Sequence, residues 1–430
     1  MKSVLRVTAL AAAVLGVAAC VQLVWQVHYS VGGNDYTSSE TLAVGADGRV
    51  ITVGVTHNEA APGVSDGFFV AAFDAVGNKV WEQLIPGETG EMARLASGSV
   101  LAVDQQNNVY VGWGNFTLGQ VQIYKFDAQG MLVNNWLALS SELAWVDDLK
   151  VGPDRNLYVS ASAGGVVMAY SPLGELLWQK VAAPASGGGM GGELEQYPGA
   201  VPASGLFGQG GTFDFFADGK ILHVSRAGLI VFNADGSVHA SLTATELGQT
   251  EVTKAVIAGG KVMALGVTGQ QVELVQLDAN LVEAGRTPVD EFEGAALLAR
   301  SGNNVCVVTG PLYLENAAGN YRVNQFTSAG VPLAVSEIPI APGSYWQIDD
   351  VVGNGAGCDV SEVFAADQFG KVSSRVTSYS LAGKPHNATE IPDYVIGDLT
   401  SVGKDLVQVG LAGEYDGSFT EMLLTKHRRY

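Results

Sequence analysis

Charge, proline and cysteine are all scarce in this chain. Of its 430 residues only 15% are charged, 14 are proline and three are cysteine. With no CxxC spacing among the cysteines and no His-Glu-x-x-His pair among six histidines, the usual zinc arrangements are excluded. Basic residues are few as well, 23 against 43 acidic ones, for a net charge of −20. Such a surface repels phosphate backbones, so no nucleic-acid partner is expected. Stretches with a 3.6-residue apolar period are also few, which argues against a helical solenoid. Glycine, by contrast, is plentiful: 55 residues, nearly twice ordinary usage, with no three-residue period that would signal collagen. A hydrophobic content of 47% excludes a disordered chain.

The first twenty residues read as an address. Lys2 and Arg6 form a positive n-region, Val7 to Val17 a short apolar stretch, and Val17-Ala18-Ala19-Cys20 follows. This resembles the bacterial lipoprotein signal. The resemblance implies cleavage after residue 19 and a lipid-bearing Cys20 as the first residue of the mature chain, since a thiol is the nucleophile that forms the thioether. Several acyl chains on one residue suffice for stable anchoring. Val21 stands where an acid would signal inner-membrane retention, so the outer membrane is the expected location. The alternatives are an ordinary secretory peptide and an uncleaved anchor from Val4 to Trp25, which approaches the roughly 20 residues of a membrane span.

Beyond this leader the chain is one unit written eight times. A turn followed by an alternating apolar strand recurs at Asp47-Gly48-Arg49-Val50-Ile51, Asn107-Asn108-Val109-Tyr110-Val111 and Arg155-Asn156-Leu157-Tyr158-Val159. It recurs again around Ile221, Val262, Val305 and Leu406, with a degenerate copy at Ala356-Gly357-Cys358-Asp359-Val360. Asp-Gly and Asn-Asn before β-branched residues are hairpin signals, because these residues tolerate positive φ. A second segment, strand, glycine turn and strand, centres on Phe73, Phe126, Tyr170, Phe232, Leu277, Phe326 and Tyr379 and stops short at Thr425. Seven steps from Phe73 to Thr425 give a period of about 50 residues, that of a four-stranded propeller blade. The eighth copy lacks a last strand, whereas Val21 to Tyr29 is a strand without a blade. The expectation is therefore an all-β, eight-bladed β-propeller closed by the N-terminal strand, with seven blades if the Cys358 copy is not a true blade. Residues 1–19 are then the signal peptide and 20–430 a single domain with a glycine-rich insertion at about 182–211.

Ser65-Asp66-Gly67-Phe68-Phe69-Val70-Ala71-Ala72-Phe73-Asp74 and Gly77-Asn78-Lys79-Val80-Trp81 resemble the bacterial β-propeller repeat named SBBP, and Asp416 to Leu423 echoes the first of them. The blades are also similar to pyrroloquinoline-quinone-type propellers, including the β-barrel-assembly lipoprotein BamB. Trp25, Trp81, Trp136 and Trp178 stand at the blade-terminal tryptophan position of such repeats.

Few residues offer chemistry. Cys306 and Cys358, 52 residues apart, fall at near-equivalent places of successive blades. Equivalent strands of neighbouring blades approach closely, so a disulfide is expected, with two buried free thiols as the alternative. Gly63-Val64-Ser65-Asp66-Gly67 matches a hydrolase pattern but precedes a strand instead of forming a strand-to-helix elbow, so Ser65 is not read as a nucleophile. Asn233-Ala234-Asp235-Gly236 lacks the spaced carboxylates of a calcium loop and reads as a turn. The doublets Asp147-Asp148 and Asp349-Asp350 stand just before innermost strands, with Glu40 and Asp398 at similar places. They are either idle solvated residues or an acidic channel mouth that attracts a cation. The insertion, with Ser186 to Gly192, Met190 and Tyr197, is either disordered or a partner-binding arm.

The reading as a whole is a non-catalytic, lipid-anchored scaffold or binding module without a cofactor, serving protein or polysaccharide partners in the cell envelope. A quinone-dependent dehydrogenase or a sugar-cleaving propeller is the alternative, although a quinone enzyme calls for a vicinal cysteine pair that this chain lacks.

Overall fold

A computed structural model describes residues 6–7, 21–31, 36–57, 67–86, 101–115, 120–140, 146–161, 165–182, 211–311, 320–339, 345–365, 372–412 and 421–429. They form eight antiparallel sheets, seven of them four-stranded and one five-stranded, arranged as the blades of a ring. The innermost strands of blades 1 to 8 are Tyr36–Val44, Leu101–Val103, Val146–Val151, Thr212–Phe215, Glu251–Ala258, Gly294–Ser301, Tyr345–Gly353 and Tyr394–Val402. Each packs against the innermost strands on either side, and blade 8 packs against blade 1, so the ring is closed. The degenerate Cys358 copy is a complete blade, which settles the count at eight.

The second and third strands of each blade are covered on both faces by the neighbouring blades. That is why they read as nearly unbroken apolar runs: all seven residues of Gly67–Phe73 and all five of Leu157–Ala161 are buried. The outermost strands, such as Leu176–Val181, are exposed along most of their length. The core is thus a series of inter-blade clusters, one of which brings Trp25 and Val27 from the chain start against Phe69 and Phe73 of blade 1 and Leu424 near the chain end.

Closure of the ring follows the sequence expectation. Val21–Tyr29 is the outermost long strand of blade 8, antiparallel to Glu421–Arg429 from Val21 opposite Arg429 to Tyr29 opposite Met422, with one register shift between Leu23 and Trp25. Tyr29 then donates its hydroxyl hydrogen bond to Glu82 of blade 1, which Lys79 also reaches at 2.6 Å. Farther round, two adjacent blades are linked covalently: Cys306 and Cys358, on the second strands of blades 6 and 7, form a disulfide with Cα atoms 6.4 Å apart.

The tryptophans explain the glycine turns. Trp25, Trp81, Trp136 and Trp178 each lie over the turn of the following blade, at Gly77, Gly130, Gly174 and Gly236. A Cβ on Gly236 would approach the Trp178 ring to 2.5 Å, and φ there is +79°, so two independent demands select glycine. Trp25 and Trp178 add an indole hydrogen bond to the carbonyls of Ala75 and Ala234, at 3.0 and 3.1 Å. Asn134 reaches Leu173 in the same way at 3.0 Å. In the second half the contact persists without the ring: Thr287 donates to the Gly330 carbonyl at 3.1 Å, and Ser336 to that of Gly383.

Candidate functional site in the central channel

Innermost strands line the channel, and five of them carry a one-residue irregularity at the same level. The register shifts fall at Ser39/Thr41, Val146/Asp148, Val252/Lys254, Ile348/Asp350 and Ile396/Asp398. The extra residues are therefore Glu40, Asp147, Thr253, Asp349 and Gly397, and a bulge of this kind re-aims the side chains beside it. The acidic doublets thus lie inside the innermost strands, not just ahead of them as their spacing implied.

The residue after the bulge has a repeated task. Asp148 accepts the amide of Leu149 on one oxygen, at 2.8 Å, and the amide of Phe213 in blade 4 on the other, at 2.9 Å. Asp398 accepts Leu399 on one oxygen, at 2.7 Å, and the amide of Leu42 and hydroxyl of Thr41 in blade 1 on the other, at 2.7 and 3.1 Å. Asp214, on a strand without a register shift, does the same, taking Phe215 at 2.8 Å and Ile257 of blade 5 at 2.7 Å. Each carboxylate therefore stitches its own strand to the next blade. Lys150 and Arg300 approach two of these carboxylates at 3.5 and 3.8 Å and also bind backbone carbonyls of the adjacent strand. Asp350 accepts only its own following amide, from Val351 at 2.7 Å, among the bonds seen here. The position of Asp148 is held in blade 5 by Lys254.

Desolvation dominates the electrostatics. The Asp398 carboxyl is pushed up to about 7, chiefly by burial, with the nearby charge of Asp350 adding to the rise and the amide of Leu42 opposing it. Asp350 is raised by burial, with Lys254 working the other way. Asp349 is almost fully buried and, with Asp398, raises the Tyr394 hydroxyl further. Asp349, Asp350 and Asp398 are thus brought together on the side of blades 7 and 8, whereas Asp147 and Asp148 stand on blade 3. The backbone places Glu40 on the first inner strand, and Ser65 lies outside the described residues, as do Cys20 and residues 183–210 of the insertion.

A serine–histidine pair, missed in the sequence, joins blades 3 and 4: Ser160 Oγ and His223 Nε2 are 3.1 Å apart. Ser160 has no exposed surface, His223 has 1%, and burial pushes the imidazole down to about 3. The pair is a neutral, sealed contact against Phe213. Between blades 7 and 8 lies a second polar seam. Asp359 is wholly buried and accepts from Ser378 and Ser401, both at 2.6 Å, from Asn354 at 3.0 Å and from Arg429. Asp214 and this seam were not legible because their cross-blade partners lie 42 to 70 residues away in the chain. Among the described residues no three His, Cys, Asp or Glu side chains converge as a metal ion requires.

No protein-family model matches the chain, and no curated protein matches it. Solved structures do. The Dos1 propeller shares 12% identity over 93% of this chain and 93% of its own, with a TM-score of 0.53. Virginiamycin B lyase from Staphylococcus aureus, with quinupristin, shares 10% over 83% and 98%, with a TM-score of 0.48. The β-propeller domain of the trilobed protease from Pyrococcus furiosus shares 8% over 92% and 95%, with a TM-score of 0.44. At such identities the likeness concerns the fold alone, and the chain is a β-propeller.

Proposed function

We propose that this chain is a non-catalytic binding module, a rigid propeller tethered to the envelope membrane through a lipid on Cys20. The observation that carries the reading is the use made of the channel carboxylates: Asp148, Asp214 and Asp398 each direct both oxygens at backbone amides of two blades. Groups held in that way hold a ring rigid, and the ring offers its rim to partners. Anchoring is supported by the position of Val21, which begins the outermost long strand of blade 8 directly after Cys20. The tether is then short, and the propeller stays close to the bilayer with blade 8 nearest.

The test is metabolic labelling with an alkyne fatty acid, combined with crosslinking of the membrane-bound protein. Label is expected on the wild type and absent from Cys20→Ser, and crosslinking is expected to join the wild type to a defined envelope partner. Labelling that persists in Cys20→Ser refutes the anchor. Turnover of a quinone-dependent or glycosidic substrate by the purified protein, abolished by a channel substitution, refutes the non-catalytic reading.

A further inference from the structure

The seam between blades 7 and 8 differs from the other seven in one element, the turn between third and fourth strands that every other blade offers its predecessor. At the outermost-strand position where Trp81 pairs with Ala72, Trp178 with Ala169 and Trp25 with Lys426, blades 4 to 6 carry Ala240, Gly285 and Ala334, and blade 7 carries Asn387, paired with Ser378. In blade 8 no glycine turn joins the third strand to the fourth, because the fourth comes from the other end of the chain. The turn that would receive a side chain from blade 7 is therefore missing. Asn387 is 5% exposed and its side-chain nitrogen has no partner, and Gln408 in the same seam, 1% exposed, has neither end of its amide bonded.

What the seam has instead is a groove of about 620 Å³, bordered by Gln26 and His28 of the blade 8 strand, by Thr389, Glu390 and Asp393 of blade 7, and by His427. Along the same blade 8 strand the outer edge already holds a strand. Arg6 and Val7 pair antiparallel with His28 and Val27, forming the fifth strand of that sheet. The signs of charge match as well. Glu390 and Asp393 border the groove and Glu421 pairs with His28 at 3.2 Å, whereas residues 1–10 carry Lys2 and Arg6 and no acid.

We propose that the edge of Val21–Tyr29 and the groove beside it form a strand-addition site that receives an extended, basic and apolar peptide segment of a partner protein. The inference rests on the reading of residues 1–19 as a leader: Arg6–Val7 hold the edge in the precursor, and their removal vacates it. In strand addition, backbone hydrogen bonds supply affinity and pockets for alternate side chains supply selectivity. Here the ladder would come from the blade 8 edge and the pocket from the groove, into which one side chain of the added strand descends.

The test uses two forms of the full chain isolated from membranes, the wild type and Cys20→Ser, with a fluorescent synthetic peptide covering residues 2–10 as probe. Intact mass reports whether residues 1–19 are present. The wild type is expected to have lost them and to bind the peptide saturably, and Cys20→Ser, which retains them, to bind at least tenfold more weakly. Thr389→Trp, which fills the groove, is expected to weaken binding by the wild type at least tenfold without lowering Tm. Glu390→Lys is expected to weaken it in a salt-dependent way. A processed wild type that fails to bind the peptide, or that binds it equally well with Thr389→Trp, overturns the site and leaves the anchor standing. A wild type that retains residues 1–19 overturns both. Saturable binding of soluble peptidoglycan fragments in the groove with no peptide binding overturns the peptide assignment.

Discussion

Single buried charges and imidazoles tie blades together, and they make the stability of the ring depend on pH in two opposite senses. His223 and His427 are pushed down to about 3 and about 4 by burial, from an ordinary 6.5. As pH falls below about 6.5 the unfolded chain takes up protons that the folded chain refuses, so stability present above 6.5 is lost toward pH 4 and below. Asp398 acts inversely. Its folded value near 7 lies above the ordinary 3.8, so between these values the folded chain holds a proton the unfolded chain has released, and stability declines as pH rises through that window. Urea midpoints measured from pH 4 to 8 are expected to show a shallower acid limb in His223→Gln and a shallower fall toward pH 7 in Asp398→Asn. Slopes unchanged in both variants contradict this assignment. Arg429 supplies the other residue-scale check. Removing Asp359 leaves that guanidinium buried without its counter-charge, an arrangement that costs about 3–5 kcal/mol. Asp359→Ala is expected to lose about that much in urea unfolding, and the double variant with Arg429→Met to recover part of it. If the double variant is no more stable than Asp359→Ala, the pair is not coupled as the seam implies.

At the scale of strands and turns, the tryptophan-on-glycine contact is the repeated joint of blades 8, 1, 2 and 3 with their successors. Gly236→Ala confronts both a positive φ and the Trp178 ring and is expected to destabilise by about 1–3 kcal/mol, the range for a strained backbone position. Gly219→Ala, at φ +87° with open space around its Cβ, is the control, expected to lose less. Equal losses at the two positions contradict the joint. These elements were legible in advance because they are local: Asn233-Ala234-Asp235-Gly236 announces a turn, and Trp178 falls one blade before it. The stitches were not. An aspartate that accepts the amide of Phe213 or Leu42 looks, in sequence, like any polar residue near a strand start, and the bulge that aims it leaves no compositional trace. The doublets at 147–148 and 349–350 drew notice because two acids adjoin. Asp214, which performs the same task alone, did not.

Across the whole molecule, the period of about 50 residues and the surplus strand at one end matched to the deficit at the other pointed to a propeller closed by its N-terminal strand, and the complete blade around Cys358 decides for eight blades over seven. What the repeat left out is the polar character of the seam between blades 7 and 8, where Asp359 meets Arg429 from the far end of the chain. The central claim is that Val21–Tyr29 completes the last blade and closes the ring. Without that strand, Glu421–Arg429 and the inter-blade cluster around Phe69 and Leu424 lose their cover, leaving an open edge and apolar surface. The most direct measurement compares the thermal unfolding of a chain beginning at Val21 with one beginning at residue 31. The account predicts that the shorter chain melts at a markedly lower temperature, with lost cooperativity and aggregation out of proportion to ten residues. Cooperative melting of both at the same temperature would contradict closure by the N-terminal strand.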